Sequence, residues 1–238
     1  MIVQPEETSE DEWRALEAAI VACRLCPRLV DWREKVARER RRAYRNEVYW
    51  GKPVPGFGDH EAHILVIGLA PGAHGSNRTG RMFTGDASGE FLYAALNRAG
   101  FANQPTAKNR GDGLELRDVF ITAVCRCAPP DNKPERLEIT DCQPYLLAEM
   151  RLLKHCQGVV VLGKLAFDRV LSIYRSQRHP IPATGFGHGA FYVLPDGLPW
   201  LLASYHPSQQ NTQTGRLTVA MFDQIWDRAR KMLKNKEK

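Results

Sequence analysis

The chain has 238 residues, of which 43% are hydrophobic, and a formal charge of +6. That length carries one domain with a sizeable core, so a single domain over 1–238 is expected, with a basic N-terminal segment at about 10–50. No apolar stretch is long enough to span a bilayer, and the opening MIVQPEETSEDEW has no basic patch followed by an apolar run, which points away from membrane and export and toward the cytoplasm. The positive balance favours an acidic partner, nucleic acid first. It is concentrated in 28–45, where Arg28, Arg33, Lys35, Arg38, Arg40, Arg41, Arg42 and Arg45 face only Asp31, Glu34 and Glu39. A solvated helix face and a phosphate-binding surface are both open readings of that run.

Ser9 and Glu12 form a capping box ahead of Trp13, Leu16 and Ile20, predicting a first helix that ends near the first cysteines. After the turn-rich GKPVPGFGDHE, the apolar run at 63–68 reads as a buried strand entering a glycine-rich loop. A helix at 88–99 follows, its apolar face made by Phe91, Leu92, Ala95 and Leu96, with Gly100 placed to cap it. The segment 103–113 is polar and expected to be a mobile loop. DVFITAV, GVVVLG and LPWLLASY predict further strands, with helices at 139–153 and 164–174 between them and a last helix at 217–233 before the charged tail KNKEK. Strands alternating with helices imply a parallel sheet covered on both faces. Ligands of such sheets bind at the carboxyl ends of strands, so the loops after Gly68, Val124 and Tyr205 should converge.

Six cysteines are present. Cys23 and Cys26 form a C-x2-C pair at a helix end, and Cys127 and Cys142 lie far downstream with 14 residues between them. Without a secretory signal disulfides are disfavoured. Four thiolates suit zinc or an iron–sulfur cluster, and the spacing does not choose between them. Cys125 and Cys156 are left without a role, Cys125 as a packing residue.

Two loops carry the chemistry. In GLAPGAHGSNRTGRMFTGDASGEFL, at 68–92, repeated glycines allow backbone N–H groups to approach a ligand, and Phe83 and Asp86 set an aromatic face beside a carboxylate. G-x-x-x-x-G-K-[ST] and G-x-G-x-x-G are both absent there, which disfavours nucleotide hydrolysis. Asp86 also suits a helix N-cap. In ASYHPSQQNTQTGRLT, at 203–218, a strand delivers His206 into a loop with no acidic residue that ends near Arg216, compatible with a phosphate backbone.

Taken together, CRLCPRL, PVPGFGD, the Gly68 loop, ITAVCRCAPPDNKP and SYHPSQQNTQTGRLT resemble the uracil-DNA glycosylase superfamily, and within it the iron–sulfur family 5, or type B, enzymes. The resemblance covers most of the chain. It implies a three-layer α/β/α sandwich around a four-stranded parallel sheet, with Cys23, Cys26, Cys127 and Cys142 holding a [4Fe-4S] cluster. It carries Asp86 as the catalytic carboxylate and Asn132 as a second polar contributor. Family 4 relatives have an acidic residue at Leu69 and an asparagine at Ala123 that reads the edge of uracil; their replacement here implies a broader range, including hypoxanthine and some modified pyrimidines.

The expectation that follows is a monomeric, monofunctional DNA glycosylase acting on double-stranded DNA. Asp86 supports the sugar cation and orients water, while His206 and backbone N–H groups of 68–73 stabilise the leaving base. Phe83 stacks on the base; Gly68, Leu69, Ala70, Gly72 and Ala123 line its pocket. Asn211 and Arg216, in the wedge at 207–216, lie nearest the strand, and the segment 33–45 adds phosphate contacts. No lysine stands as a Schiff-base nucleophile in these loops. A binding module that has lost its chemistry is the competing reading, against which the retained Asp86 and His206 argue; an unrelated metal- or nucleotide-dependent enzyme lacks a phosphate loop.

Overall fold

The computed structural model describes residues 9–234. The N-terminal stretch before Ser9 and the charged end of the tail lie outside the described residues. Helix α1 (Ser9–Ala22) ends just before Cys23, as expected, and α2 (Pro27–Glu39) follows after the C-x2-C turn. Cys26 is the extended N-cap of α2 and Pro27 its first residue, a position where the missing N–H of proline costs nothing. The buried stripe of α2 is Leu29, Val30, Arg33 and Val36. A basic side chain in that stripe is why the segment looks like surface charge in the sequence.

The remaining elements build the sheet and its covering helices. In order they are β1 (Phe57–Gly58), β2 (Ile64–Gly68), α3 (Ser76–Thr79), α4 (Ala87–Arg98), β3 (Val119–Ala123), α5 (Arg136–Leu152), β4 (Gly158–Leu162), α6 (Lys164–Ser176), β5 (Phe191–Tyr192), β6 (Trp200–Ser204), α7 (Gln209–Gln213) and α8 (Val219–Lys234). The sheet runs β1-β3-β2-β4-β6-β5. Its four central strands are parallel, as expected, and each edge adds an antiparallel strand of two residues. Such short edges offer no period to a sequence reading and leave little exposed ladder.

Every residue of the four central strands is buried. Successive side chains point to opposite faces, and the core divides accordingly. Ile64, Val66, Val119, Ile121, Val160 and Leu202 pack with Leu92 and Leu96 of α4 and Phe222 and Trp226 of α8. Leu65, Ile67, Phe120, Val159, Val161 and Leu201 pack with Trp13 of α1, Leu146 of α5 and Phe167 and Val170 of α6. This is the three-layer α/β/α sandwich. Beneath α5 an ion pair between Arg126 and Glu149, both 1% exposed, closes at 2.5 Å, and Thr122 donates to the same carboxylate at 2.6 Å.

The chain leaves β2 for β3 on one side and places β4 on the other, so the connections diverge between β2 and β4. That switch point opens a crevice at the carboxyl ends of the strands, where Gly68 and Gly163 lie. The segment 103–113 is not the loose loop its polarity suggests. Asp112 accepts from the backbone N–H groups of Lys108, Asn109 and Leu114, and both its oxygens pair with Arg81 at 2.8 Å. Desolvation acts to raise the Asp112 carboxyl, yet the Arg81 and backbone hydrogen bonds hold it well below the usual carboxylate range. Among the described residues no helix is long and apolar enough to cross a membrane.

Candidate active site

Asp86 is the N-cap of α4: its backbone is extended and Oδ1 accepts the Gly89 N–H at 3.0 Å. Its other oxygen faces the loop after β2. A Cβ built on Gly75 would lie 1.9 Å from Asp86 Oδ2, and one on Gly72 3.0 Å from it. The glycines in this loop therefore make room for the carboxylate. Burial pushes the Asp86 carboxyl up, against the pull of the Gly89 and Ser88 N–H groups and the Arg78 charge. The helix cap and the chemical role are compatible, because capping uses one oxygen.

Phe83 sits at φ +51°, a left-handed conformation uncommon for an aromatic residue. The bend brings its ring edge over Gly68, where a Cβ would stand 2.9 Å from Phe83 Cζ. On its other side the ring lies 5.9 Å from the imidazole of His206, tilted by 31°. His206 follows β6, and burial pushes it down to about 4; it is neutral at pH 7. Asn211 is half-buried. Its Nδ2 donates to the His206 carbonyl at 2.8 Å, fixing the backbone that carries the imidazole. The expected wedge loop is the short helix α7, capped by Ser208, followed by exposed Arg216, whose guanidinium lies 4.8 Å from the Tyr205 ring centroid.

Ala123 faces Gly68 across the β2–β3 pairing and is buried in the core. Leu69 and Ala70 are half-buried against the second core layer. The Gly68 and Leu69 carbonyls accept from Val124 and Cys125, whereas no backbone carbonyl among the described residues accepts from the N–H groups of Ala70, Gly72 and Ala73. Asp86 thus adjoins Gly72, and the Phe83 ring meets both Gly68 and His206. Asn132 does not join them: it is exposed on a left-handed turn at Pro130–Asn132.

Two residues absent from the expected site shape it. Arg78, nearly buried, donates to the His74 carbonyl at 2.8 Å and the Gly85 carbonyl at 2.7 Å, pairs with Glu47, and stacks 3.9 Å from the Tyr44 ring centroid. Asn77, 0% exposed, donates to the Ala73 carbonyl at 3.4 Å and the Arg33 carbonyl at 3.3 Å. Both belong to the glycine-rich stretch, where a polar side chain reads equally well as a ligand contact. Arg33 itself is 2% exposed, so it is not a phosphate contact; Arg28 is likewise engaged by Glu135 and Glu138. The exposed cations of that run are Lys35, Arg38, Arg40, Arg41, Arg42 and Arg45.

Cys23, Cys26, Cys127 and Cys142 wall one small cavity where the α1–α2 turn, the segment after β3 and helix α5 meet. The Arg126 N–H donates to Cys142 Sγ at 3.2 Å, and Arg33 Nη1 to Cys127 Sγ at 3.0 Å. A hydrogen bond with Cys125, and then the Arg126 charge and N–H, hold the Cys142 thiol below its ordinary value against burial, whereas burial pushes the Cys26 and Cys127 thiols up. Arg33 Nε is buried with no acceptor. Soft thiolates, N–H donors aimed at sulfur and a buried compensating cation fit an anionic iron–sulfur cluster. Among the described residues no three His, Cys, Asp or Glu side chains converge closely enough for a single metal ion, and a cluster spaces its thiolates more widely than one ion does.

A capped carboxylate, an aromatic ring and a neutral imidazole near the switch point of a parallel sheet agree with the family to which the sequence aligns. The model of the uracil DNA glycosylase superfamily matches residues 55–230, and the chain belongs to that superfamily. It is 52% identical to the type-5 uracil-DNA glycosylase of Thermus thermophilus over 220 residues, covering 92% of this chain and 97% of that protein. The Mycobacterium tuberculosis type-5 enzyme is 50% identical over 91% of this chain and 80% of its own length, and that of Pyrobaculum aerophilum 44% over 88% of each. Its place is therefore in the type-5 branch.

Proposed function

We propose that the chain is a monofunctional DNA glycosylase that hydrolyses the N-glycosidic bond of uracil, and of hypoxanthine and some modified pyrimidines, in double-stranded DNA, initiating base excision repair as a monomer. The observations that carry this reading are a buried carboxylate, Asp86, whose Oδ2 is seated against Gly72 and Gly75, and a neutral imidazole, His206, set against the Phe83 ring. Breaking the bond leaves positive charge on the sugar and negative charge on the base, so two opposite groups are required. Asp86 Oδ2 supports the sugar cation and orients water. A neutral His206 donates its one N–H to the departing base, and the N–H groups of Ala70, Gly72 and Ala73, which no backbone carbonyl among the described residues accepts, add preorganised donors.

Phe83 stacks on the extruded base, and extrusion costs least at a mispaired uracil or hypoxanthine. Ala123 presents a methyl group where an amide would read one base edge, which supports the wider range. Asn132 joins from its exposed turn once DNA is bound. Arg216 and the exposed cations of 35–45 contact phosphates. Cys23, Cys26, Cys127 and Cys142 hold a [4Fe-4S] cluster that cross-links the N-terminal helices to the sandwich and stabilises the folded arrangement.

Alkaline cleavage of duplexes carrying one uracil or one hypoxanthine tests the reading. Wild type should release both bases, and Asp86→Ala should lose at least two orders of magnitude, roughly the share of a positioned acid–base group. Binding without release would favour a damage-recognition module. Anaerobically purified protein should be brown, and Cys26→Ser should bleach it; a colourless wild type would remove the cluster from the proposal.

A further inference from the structure

Arg33 occupies a position that neither helix stability nor DNA binding explains. It lies in the buried stripe of α2, 2% exposed, and its nearest carboxylate, Glu34, is 3.9 Å away. A guanidinium out of water needs a close anion or a full set of acceptors. Its Nη1 instead reaches Cys127 Sγ at 3.0 Å and its Nη2 the Cys23 carbonyl at 3.3 Å, while Nε has no acceptor. Its closest partner is thus Cys127 Sγ, and a centre that holds these cysteines deprotonated would supply the compensating anion.

The same residue faces the excision loop through its backbone. The Arg33 carbonyl accepts Asn77 Nδ2, which also donates to the Ala73 carbonyl, and the Asn77 N–H donates to the Gly72 carbonyl at 3.0 Å. Gly72 is one of the two glycines packed against Asp86 Oδ2. A continuous set of contacts therefore runs from Cys127 Sγ through Arg33 and Asn77 to Gly72 and Asp86. Helix α2 and α3 touch directly as well.

We propose that Arg33 is a positioning residue that ties the cysteine centre to the loop seating Asp86, so that the geometry of the excision site depends on the thiolates being assembled. The inference rests on the glycosylase reading and on the four-cysteine cluster. It requires that a change at either end of the link be felt at the other.

The test uses cluster-loaded full-length protein with Arg33→Gln, Asn77→Ala and the double variant, measured for visible absorbance, midpoint potential, single-turnover uracil excision and duplex affinity. Arg33→Gln removes a cation and an N–H donor that favour the more reduced cluster, so its potential should fall. Excision should slow about ten- to a hundredfold, the scale of a small misplacement of a reacting group, with duplex affinity unchanged. Asn77→Ala should slow excision similarly while leaving the spectrum and potential at wild-type values. The double variant should be no slower than the slower single one.

Multiplicative losses, or wild-type excision in Arg33→Gln with a shifted potential, would overturn the link. If Arg33→Gln does not hold the cluster, Asn77→Ala decides: wild-type excision there sinks the proposal. A wild type that releases no base defeats the glycosylase reading instead, and the link is then read from amide exchange over 72–77, which should quicken in Arg33→Gln and, if unchanged, overturns it.

Discussion

Gly75→Ala is the sharpest probe of the carboxylate's seat. The added Cβ would stand 1.9 Å from Asp86 Oδ2 and 2.6 Å from Cγ, so recovering an ordinary contact requires a displacement of roughly 1.5 Å. A 1 Å misplacement of a reacting group costs about a hundredfold, or ~3 kcal/mol of barrier. If Asp86 moves, its cap on Gly89 weakens too, removing about 1 kcal/mol of stability. Gly72→Ala, whose Cβ would stop at 3.0 Å, should cost far less. Single-turnover excision of uracil with enzyme in excess, scored by alkaline cleavage, measures the rate, and urea unfolding the stability. Excision by Gly75→Ala within twofold of wild type, in a folded protein, would refute the placement of Asp86 Oδ2 as the reacting oxygen.

Other consequences follow from burial and charge. His206 is pushed down to about 4 from its usual value near 6.5, so it contributes stability present above about 6.5 and lost as pH falls through 4; the full shift amounts to about 3 kcal/mol. His206→Gln should flatten the fall in urea midpoint over that window, and an unchanged slope would show the imidazole is not desolvated. Glu149→Ala leaves the Arg126 guanidinium buried without its carboxylate and should cost about 3–5 kcal/mol in urea unfolding, whereas a loss below 1 kcal/mol would mean that the guanidinium finds water. Replacing exposed Arg41, Arg42 and Arg45 by serine should reduce the salt slope of duplex binding by up to about 3, at roughly 0.9 per phosphate contact, with excision of bound uracil unaffected. An unchanged slope would place the duplex elsewhere.

The central strands were legible because they are buried on both faces: ILVIG, VFITA, GVVVL and WLLAS read as unbroken apolar runs. Their alternation with amphipathic helices carried the parallel sheet and the switch point, and with it the convergence of Gly68, Phe83, Asp86 and His206. Arg33 was misleading for a physical reason. A cation on a helix reads as solvated unless a distant partner is known, and its partner is a thiol 94 positions along the chain. The edge strands were too short to show a period. Asp112 hid the order of 103–113, since an aspartate in a polar loop does not announce that it will gather three N–H groups and an arginine. The bond from Asn211 to the His206 backbone was equally hidden, since nothing in the sequence shows that a side-chain amide five residues on reaches back across a helical turn.

The two bonds from Arg78 to the His74 and Gly85 carbonyls turn the glycine-rich stretch into a closed ring, although no covalent bond closes it. A flexible loop of that composition would ordinarily become ordered when its substrate arrives, and affinity would suffer for it. Here the loss of chain entropy falls on folding. A lesion therefore meets a mould already set, and weakening the Arg78 clamp would show itself as poorer capture of rare lesions before it showed itself as slower chemistry.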